Sequence, residues 1–293
     1  MRALLIGATG LVGKALLTHW RSHAEAPEQI VAVGSADADI RDDRAISELL
    51  KSCRPDWTLL AAAYTDVDGC ERDPERAHAV NAVGTANVAR ACRDFGSRLL
   101  FISTDYVFDG TKTQPYEPDD PIRPISVYGH SKADGEDAVR QFIPDACIVR
   151  TSWVYGLARP GFPGAILDQA ERMPVVPVIA DQIGAPTFAP DLAAILTTLM
   201  RAGAQGTLHA VGAGGCTRME WAQQILNAAG KETVLLQPVT TPQANRPAPR
   251  PAYSVLSTAS LAKYGIRARR WQESVADYVA RRQSTQLLAK ASL

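Results

Sequence analysis

The sequence predicts an α/β fold built on a parallel sheet. Short apolar runs alternate with longer amphipathic runs up to Thr151, a glycine-rich turn follows the first apolar run, and prolines and glycines become dense after Thr151. Together these features indicate a Rossmann-like, doubly wound parallel sheet, followed by a smaller, mostly C-terminal α/β domain. We expect a dinucleotide-binding domain over residues 1–151, to which part of the later chain returns, and a mainly substrate-binding domain over residues 152–293.

Hydrophobic periodicity assigns the individual elements. Strands are predicted at Ala3–Ile6, Ile30–Val33, Trp57–Ala61, Leu99–Ser103 and Cys147–Thr151. Helices are predicted at Leu11–His23, Arg44–Ser52, Pro74–Phe95, Val127–Phe142, Pro190–Arg201, Met219–Ala229 and Trp271–Arg281. The proline-rich segment Pro238–Pro251 is expected to be a loop. A parallel sheet of this kind binds ligands at the carboxyl ends of its strands, so the residues that follow the strands matter most.

Composition narrows the class of protein. The chain has 293 residues, with 31 basic and 31 acidic side chains, and this balance argues against nucleic-acid or membrane-surface binding. The five cysteines are scattered and show no CxxC spacing, which favours reduced thiols over a disulfide frame or a metal site. The first apolar run is too short for a signal peptide, and no apolar stretch approaches the length of a membrane span. We expect a cytoplasmic protein; a homodimer remains open.

The glycines that follow the first strand carry the clearest binding signal. Gly7 allows a tight turn, Gly10 lets the backbone approach a pyrophosphate, and Gly13 lets helix and strand pack closely. A phosphate would then lie on free N–H groups at the positive end of the helix dipole. The alternative is a glycine-rich turn that binds no ligand.

Residues after the second and third strands complete this expected cofactor site. An acid at the tip of the second strand would bind the ribose 2′-hydroxyl of NAD and repel the 2′-phosphate of NADP. The tip is Gly34-Ser35, with Asp37 two residues later and no arginine until Arg41, so the choice between NAD and NADP is open. Asp39 and Ile40 lie where an acid could accept from an adenine amino group, although Asp39 could instead be a helix N-terminal acid. After the third strand, small side chains suit close contact with a flat ligand or simple strand–helix packing. This segment is Ala61, Ala62, Ala63, Tyr64 and Thr65.

Two residues of the fourth helix indicate chemistry. Tyr128 and Lys132 are four residues apart and therefore share one helix face. An ammonium beside a phenol can make the phenol more acidic, as proton transfer to or from a carbinol oxygen requires. The pattern alone is common on helices. Thr104, at the end of the fourth strand, makes the pattern more specific. Its hydroxyl could contact a carbonyl oxygen or the phenol, or it could only cap the strand.

Three further polar or aromatic residues are candidates for the site or for the structure around it. Asp105 follows Thr104, and Trp153 follows the fifth strand, so both could face a ligand. A tryptophan could form the wall of a sugar site, although a lone aromatic more often belongs to a core. Asn81, on the long helix, is more readily interpreted as a structural polar tie to a neighbouring strand than as a catalyst.

Together these residues resemble the extended short-chain dehydrogenase/reductase family. The motifs that carry the resemblance are GxxGxxG at Gly7–Gly13, NxxGTxN at Asn81–Asn87, STDYVFDG at Ser103–Gly110 and YGxSK at Tyr128–Lys132. Other segments are most similar to the dTDP-4-dehydrorhamnose reductase subfamily: Ala61–Asp68, Arg150–Gly156, Asp181–Ala193 and Arg250–Leu256. The resemblance spans nearly the whole chain. Tyr253 stands where that subfamily often has asparagine. Some members dimerise through a magnesium ion held by glutamates near the first helix; this chain has Lys14 and Ala15 there, so no metal is expected.

The resemblance implies a role for each residue. Tyr128 would be the proton donor, Lys132 would bind the nicotinamide ribose and favour the phenolate, and Thr104 would complete the triad. The NADPH or NADH contacts would be Gly7, Gly10, Leu11, Val12, Asp39, Ile40, Ala61, Ala62, Ala63, Tyr64, Thr65, Tyr128 and Lys132. A nucleotide-sugar substrate would contact Thr104, Asp105, Trp153 and Arg250.

The implied reaction is reduction of the C4 keto group of a dTDP-linked 6-deoxy sugar. Two alternatives remain at this stage: reduction of another nucleotide-linked 4-keto sugar, and a non-catalytic NAD(P)-binding regulatory subunit. Dehydratases and epimerases use a similar tyrosine and lysine, and Asp105 keeps elimination chemistry open. The absence of a glutamate beside it favours reduction.

Overall fold

The computed structural model describes residues 1–291. Its strands are β1 (Arg2–Ile6), β2 (Gln29–Val33), β3 (Trp57–Leu60), β4 (Arg98–Thr104), β5 (Cys147–Thr151), β6 (Val154–Tyr155), β7 (Val175–Ile179), β8 (Ile183–Gly184), β9 (Thr187–Phe188), β10 (Gly206–His209), β11 (Cys216–Thr217) and β12 (Leu235–Val239). Its α-helices are α1 (Leu11–Ser22), α2 (Asp43–Cys53), α3 (Val67–Arg72), α4 (Pro74–His78), α5 (Thr85–Phe95), α6 (Val127–Phe142), α7 (Gly161–Ala170), α8 (Ala189–Arg201), α9 (Arg218–Ala228), α10 (Thr241–Ala244) and α11 (Trp271–Ala291).

Six parallel strands form the main sheet, in the order β10-β5-β4-β3-β1-β2. The chain leaves β1 for one edge of the sheet and returns at β3 toward the other, so the strand order reverses beside β1. In-register pairs align the carboxyl ends of the strands: Ile6 with Val33 and Leu60, and Thr104 with Thr151. The turns after these strands therefore meet at one edge.

Apolar side chains cover both faces of this sheet. Along β1, Leu5 joins a cluster with Leu16 of α1 and Leu196 of α8, whereas Leu4 packs on the opposite face with Val88 of α5. The main-sheet strands are consequently apolar on both sides, as is typical of parallel sheets between two helical layers. Helices packed on both faces hold the sheet in place, including the carboxyl end of β1, from which the glycine turn leaves.

The chain after β5 forms a second, smaller group of strands and helices. Strands β7 and β12 pair in parallel, and α7, α9 and α11 pack around an aromatic core. The core contains Tyr155, Phe188, Trp221, Trp271 and Tyr278. No helix in the described part of the chain is long and apolar enough to cross a bilayer.

The fold class and the five predicted strands are confirmed, with ends that move by one residue at most. The predicted helix Pro74–Phe95 is wrong as a single α-helix, since a π-helical turn at Ala79–Gly84 interrupts it. The prediction of a loop at Pro238–Pro251 is wrong in part, because β12 and α10 extend into it. The sequence did not predict β10, a short strand at the sheet edge with a single large aliphatic side chain, Leu208.

Candidate active site

The glycine turn between β1 and α1 forms a cradle that has no room for side chains. Gly7 has φ +97°, and a Cβ there would lie 2.5 Å from the Ala62 nitrogen. A Cβ on Gly13 would lie 2.2 Å from the Gly7 oxygen, so α1 packs directly on the turn. Gly10 caps α1 without a side-chain hydrogen bond. The first N–H groups of α1 are thus left for an anion, which fits the pyrophosphate of a dinucleotide.

A cavity of about 600 Å³ opens from this cradle toward the tip of β2. Most of the predicted cofactor residues meet on its wall: Gly7, Gly10, Asp39, Ile40, Ala61, Ala62, Ala63 and Tyr64. The Asp39 carboxylate is paired with the Arg41 guanidinium at 2.5 Å, and this hydrogen bond holds the pKa of Asp39 below its usual value. Asp39 is not the N-terminal acid of α2, because Asp42 caps that helix through the Ala45 N–H.

A second cavity, of about 420 Å³, adjoins the first and shares Gly10, Ala61, Ala63 and Arg159 with it. The structure brings the remaining predicted cofactor residues and most of the predicted substrate residues to this second cavity. They are Leu11, Val12, Thr65, Thr104, Asp105, Tyr128, Lys132 and Trp153. Since the strand ends align, residues distant in sequence line one space.

Local structure explains how α6 presents Tyr128 and Lys132. Ser126 caps the helix by accepting from the Gly129 N–H at 3.1 Å. A Cβ at Gly129 would lie 2.2 Å from the Tyr106 carbonyl oxygen, so this glycine lets the start of α6 pack against the turn that follows β4. Tyr128 is 8% exposed, and its ring lies edge-on to that of Tyr106 at 5.5 Å.

Burial shifts the protonation of both α6 groups. It raises the pKa of the Tyr128 phenol above its usual value, although the Thr104 hydroxyl opposes the shift. It lowers the pKa of Lys132 to about 7. The Lys132 Nζ donates to the Ile102 carbonyl oxygen at 2.8 Å and lies 4.0 Å from the centre of the Phe101 ring. The cavity thus holds a protonated phenol beside an amine that titrates near neutrality.

Thr104 and Asp105 form a polar pair at the end of β4. The Thr104 hydroxyl donates to Asp105 Oδ1 at 3.1 Å and accepts from the Tyr106 N–H at 3.2 Å. Asp105 is 1% exposed, and its Oδ2 has no hydrogen-bond partner. Burial raises the pKa of Asp105 to about 6, against the opposing hydrogen bonds of Ser254 and Thr104. This carboxyl therefore changes charge just below neutral pH.

Trp153 is held in a stack that the sequence did not predict. Its backbone has φ +43°, which is rare for a bulky residue, so the surrounding packing must hold it. Arg218, the first residue of α9, places its guanidinium 3.6 Å from the centre of the Trp153 ring, and the Trp221 ring stacks on Trp153 at 5.5 Å. Burial lowers the pKa of Arg218 to about 10. The available sequence signal was the Thr217–Glu220 capping box, which marks residue 218 as the helix start.

Arg250 lies in a neighbouring cavity rather than beside Tyr128. This third cavity, of about 470 Å³, shares Tyr106, Gly161 and Arg218 with the second one. Arg246 and Arg250 also line it, and both pair with Asp68 of α3, at 3.4 Å and 2.9 Å. The pocket therefore combines three guanidinium groups with apolar walls, a surface that suits a phosphorylated organic molecule.

Asn81 ties three segments together, in agreement with the structural role predicted for it. Its side-chain oxygen accepts from the Tyr64 N–H at 2.8 Å, and its nitrogen donates to the Tyr64 carbonyl and the Ser131 hydroxyl, both at 3.0 Å. It thereby fixes the segment after β3 to α6. Among residues 1–291, no group of three or more histidine, cysteine, aspartate or glutamate residues could hold a metal ion.

Comparison with known proteins agrees with this architecture. A spore coat polysaccharide biosynthesis protein, SpsK, from Bacillus subtilis is 37% identical over 97% of this chain and 98% of its own length. A dTDP-4-dehydrorhamnose reductase from Mycolicibacterium smegmatis is 39% identical over 95% of this chain and 85% of its own. A probable dTDP-4,6-dihydroxy-2-methyloxan-3-one 4-ketoreductase from Streptomyces antibioticus is 38% identical over 87% of this chain and 86% of its own.

A solved structure extends the likeness to three dimensions. The dTDP-4-dehydrorhamnose reductase of Bacillus anthracis in complex with NADP superimposes with a TM-score of 0.90, at 32% identity over 96% of this chain and 99% of that one. A family model described as the RmlD substrate-binding domain matches residues 1–284. The chain belongs to this RmlD substrate-binding domain family, a group of NAD(P)-dependent reductases.

Proposed function

We propose that the protein reduces the C4 keto group of dTDP-4-dehydro-6-deoxy-L-mannose, with NADPH or NADH, to give dTDP-L-rhamnose. The observation that carries this proposal is the shared cavity: Thr104, Tyr128 and Lys132 line one space, which opens on one side to the glycine cradle and on the other to the arginine-lined cavity. A dinucleotide and a nucleotide sugar would therefore meet at the phenol. The free thiols and the family's biosynthetic enzymes favour a cytoplasmic location.

The cofactor, when bound, would supply a hydride to the substrate carbonyl carbon. Tyr128 would hold a proton at its Oη and deliver it to the carbonyl oxygen as negative charge develops there. The raised pKa of Tyr128 keeps this proton in place at neutral pH. Lys132 would stabilise the phenolate that remains, and its Nζ already has a fixed position through the Ile102 carbonyl. The Thr104 hydroxyl would orient the phenol and the substrate oxygen.

The remaining side chains would bind the substrate. Trp153 offers a ring face for the deoxysugar, and Asp105 offers an unpartnered oxygen for a sugar hydroxyl. Arg218 and Arg250 line the third cavity, where they would contact the substrate diphosphate. The apolar part of that cavity would hold the thymine base.

Two other functions remain as alternatives. A different nucleotide-linked 4-keto sugar would fit the same catalytic set, and the relative from Streptomyces antibioticus is named for such a reaction. A non-catalytic cofactor-binding subunit would have no need of Thr104, Tyr128 and Lys132 together, so their shared cavity counts against it. Following the absorbance of NADPH and NADH with a panel of 4-keto sugar nucleotides would separate the three functions.

The proposed mechanism is tested by Tyr128→Phe. The variant lacks the proton donor but keeps the ring, so kcat should fall by about 10²- to 10⁴-fold while cofactor affinity changes little. Tyr264→Phe is the control: this tyrosine ends the 3-10 helix Ala259–Tyr264, lines none of the three cavities, and loses only the bond that its hydroxyl accepts from the Gln205 N–H, so the variant should keep full activity. A Tyr128→Phe variant with unchanged kcat would disprove the role of the phenol.

A further inference from the structure

Behind the active cavity lies a buried carboxylate to which the proposed reaction gives no role. Glu136 is on α6, one turn after Lys132, and is fully buried. Its Oε1 accepts from Ser103 Oγ at 2.6 Å and from Arg150 Nε at 2.9 Å. Its Oε2 accepts from Arg150 Nη2 at 2.8 Å and from Arg140 Nη2 at 2.6 Å. Four donors therefore surround one carboxylate inside the protein.

These bonds connect α6 and β4, the two elements that carry the catalytic set, with the neighbouring strand β5. Glu136 belongs to the helix of Tyr128 and Lys132, Ser103 directly precedes Thr104 at the end of β4, and Arg150 directly precedes Thr151 at the end of β5. Arg150 is itself fixed, since its Nη1 donates to the Pro118 carbonyl at 2.9 Å. Any displacement of Glu136 would shift α6 relative to both strand ends.

Glu136 is also the acid nearest in sequence to Lys132 on the buried face of α6. In the described chain Lys132 forms no ion pair, and its Nζ donates to a neutral carbonyl. Burial lowers the pKa of Lys132, and the negative charge of Glu136 opposes that shift. Although burial favours a neutral carboxyl, the hydrogen bonds of Arg150 hold the pKa of Glu136 below its usual value, so its charge persists at neutral pH.

Two cations pair with Glu136 itself. The buried Arg150 of β5 and the half-exposed Arg140 of α6 both form ion pairs with its carboxylate, so each partly offsets its negative charge. The ionisable groups that share the active cavity with Lys132 are Asp105, Tyr106, Tyr128, Arg159 and Arg218. Among all of these, Glu136 is the acid that the fold holds in a fixed place behind the amine.

We propose that Glu136 is a positioning residue for the proposed reduction: it favours the charged form of Lys132 and holds α6 in place against the ends of β4 and β5. This inference rests on the proposed function for its effect on turnover, but not for its effect on the charge of Lys132. A merely structural Glu136 would affect folding and lower activity equally at every pH.

The test compares Glu136→Gln with Asp137→Asn in the full-length protein saturated with NADP⁺. Asp137 is the next residue of α6, its side chain is 77% exposed, and it bonds to the same Arg140. Lys132 is titrated by carbon-13 NMR of lysine-labelled protein, with its signal assigned through Lys132→Met. Glu136→Gln should move the midpoint to lower pH by about one unit, and the alkaline limb of kcat should move with it. Asp137→Asn should leave both in place.

A second variant keeps the proposal testable if Glu136→Gln does not fold. Arg140→Gln removes a half-exposed cation from Glu136 and leaves the bonds to Ser103 and Arg150 intact, so the Lys132 midpoint should rise. An unchanged midpoint in a folded Glu136→Gln, or in Arg140→Gln where the first does not fold, would overturn the proposal. If the wild-type protein reduced no 4-keto sugar nucleotide, the proposed function would fail, while the lysine titration would still decide the role of Glu136.

Discussion

The carboxyl group of Asp105 lies inside the protein beside Thr104, with one oxygen unpartnered. Burial raises its pKa from 3.8 to about 6, so between these values the folded protein keeps a proton that the unfolded chain has released. The free energy of unfolding therefore falls as the pH rises through this window. The largest effect that this shift can have is about 3 kcal/mol, reached above pH 6.

Asp105→Asn should consequently stabilise the ligand-free protein at pH 7, by about 1–3 kcal/mol, and have little effect near pH 4. Urea unfolding of the variant and the wild type at both pH values measures this difference. Asp109→Asn is the matched control: the Thr111 N–H holds the pKa of Asp109 below its usual value, so its loss should act in the opposite direction at pH 7. A less stable Asp105→Asn at pH 7 would contradict the cost assigned to this buried charge.

At the scale of elements, the π-helical turn Ala79–Gly84 places Asn81 between the segment after β3 and α6. Asn81→Ala would leave the Tyr64 N–H without its partner, at a cost of about 1–3 kcal/mol if it stays buried, and would leave the Tyr64 carbonyl with only the weak bond from the Cys70 thiol at 3.7 Å. We expect a less stable protein whose affinity for NADPH falls, because Tyr64 and its neighbours line the cavity that we propose holds the cofactor.

Thermal unfolding and fluorescence titration with NADPH measure these two effects. Val83→Ala is the control on the same turn, since its side chain is 44% exposed, and it should change neither value appreciably. If Asn81→Ala lost stability but bound NADPH as the wild type does, Asn81 would support the fold without shaping the cofactor site.

The elements also show what the sequence could and could not predict. Strands such as Leu99–Ser103 are continuous apolar runs, because both faces of the sheet are covered, and their boundaries were predicted to within one residue. The π turn has no comparable signal: its residues are compatible with an α-helix, and the distortion depends on contacts of Asn81 with distant segments. Likewise, the segment GTLH at residues 206–209 has little strand signal of its own. It is a strand because it pairs in parallel with β5, which is distant in the sequence.

Within the site, local motifs predicted the residues that lie at strand ends and on the glycine turn, because topology brings those positions together. Arg218 and Glu136 escaped prediction for different reasons. Arg218 reaches Trp153 through the packing of α9 against the earlier chain, and Glu136 looks like one of many acids on an amphipathic helix until Arg150 is seen beside it.

On the scale of the whole molecule, the three cavities adjoin one another along the carboxyl edge of the main sheet. The outermost one joins both parts of the chain, since Asp68 of α3 pairs with Arg246 and Arg250 from the proline-rich segment. Arg250 is the more buried of the two, with 13% of its side chain exposed against 56% for Arg246. A charge held in a half-enclosed cavity is screened less by salt and binds an anion more strongly.

Arg250→Ala should therefore weaken binding of dTDP by about tenfold or more, equivalent to about 1.4 kcal/mol, while NADPH affinity stays nearly constant. Arg246→Ala should have a smaller effect, because solvent already screens that side chain. Calorimetric titration of dTDP into the NADP⁺-saturated wild type and both variants measures these losses. Equal losses in the two variants, or a loss of NADPH affinity in Arg250→Ala, would show that Arg250 acts through its bond to Asp68 rather than on the diphosphate.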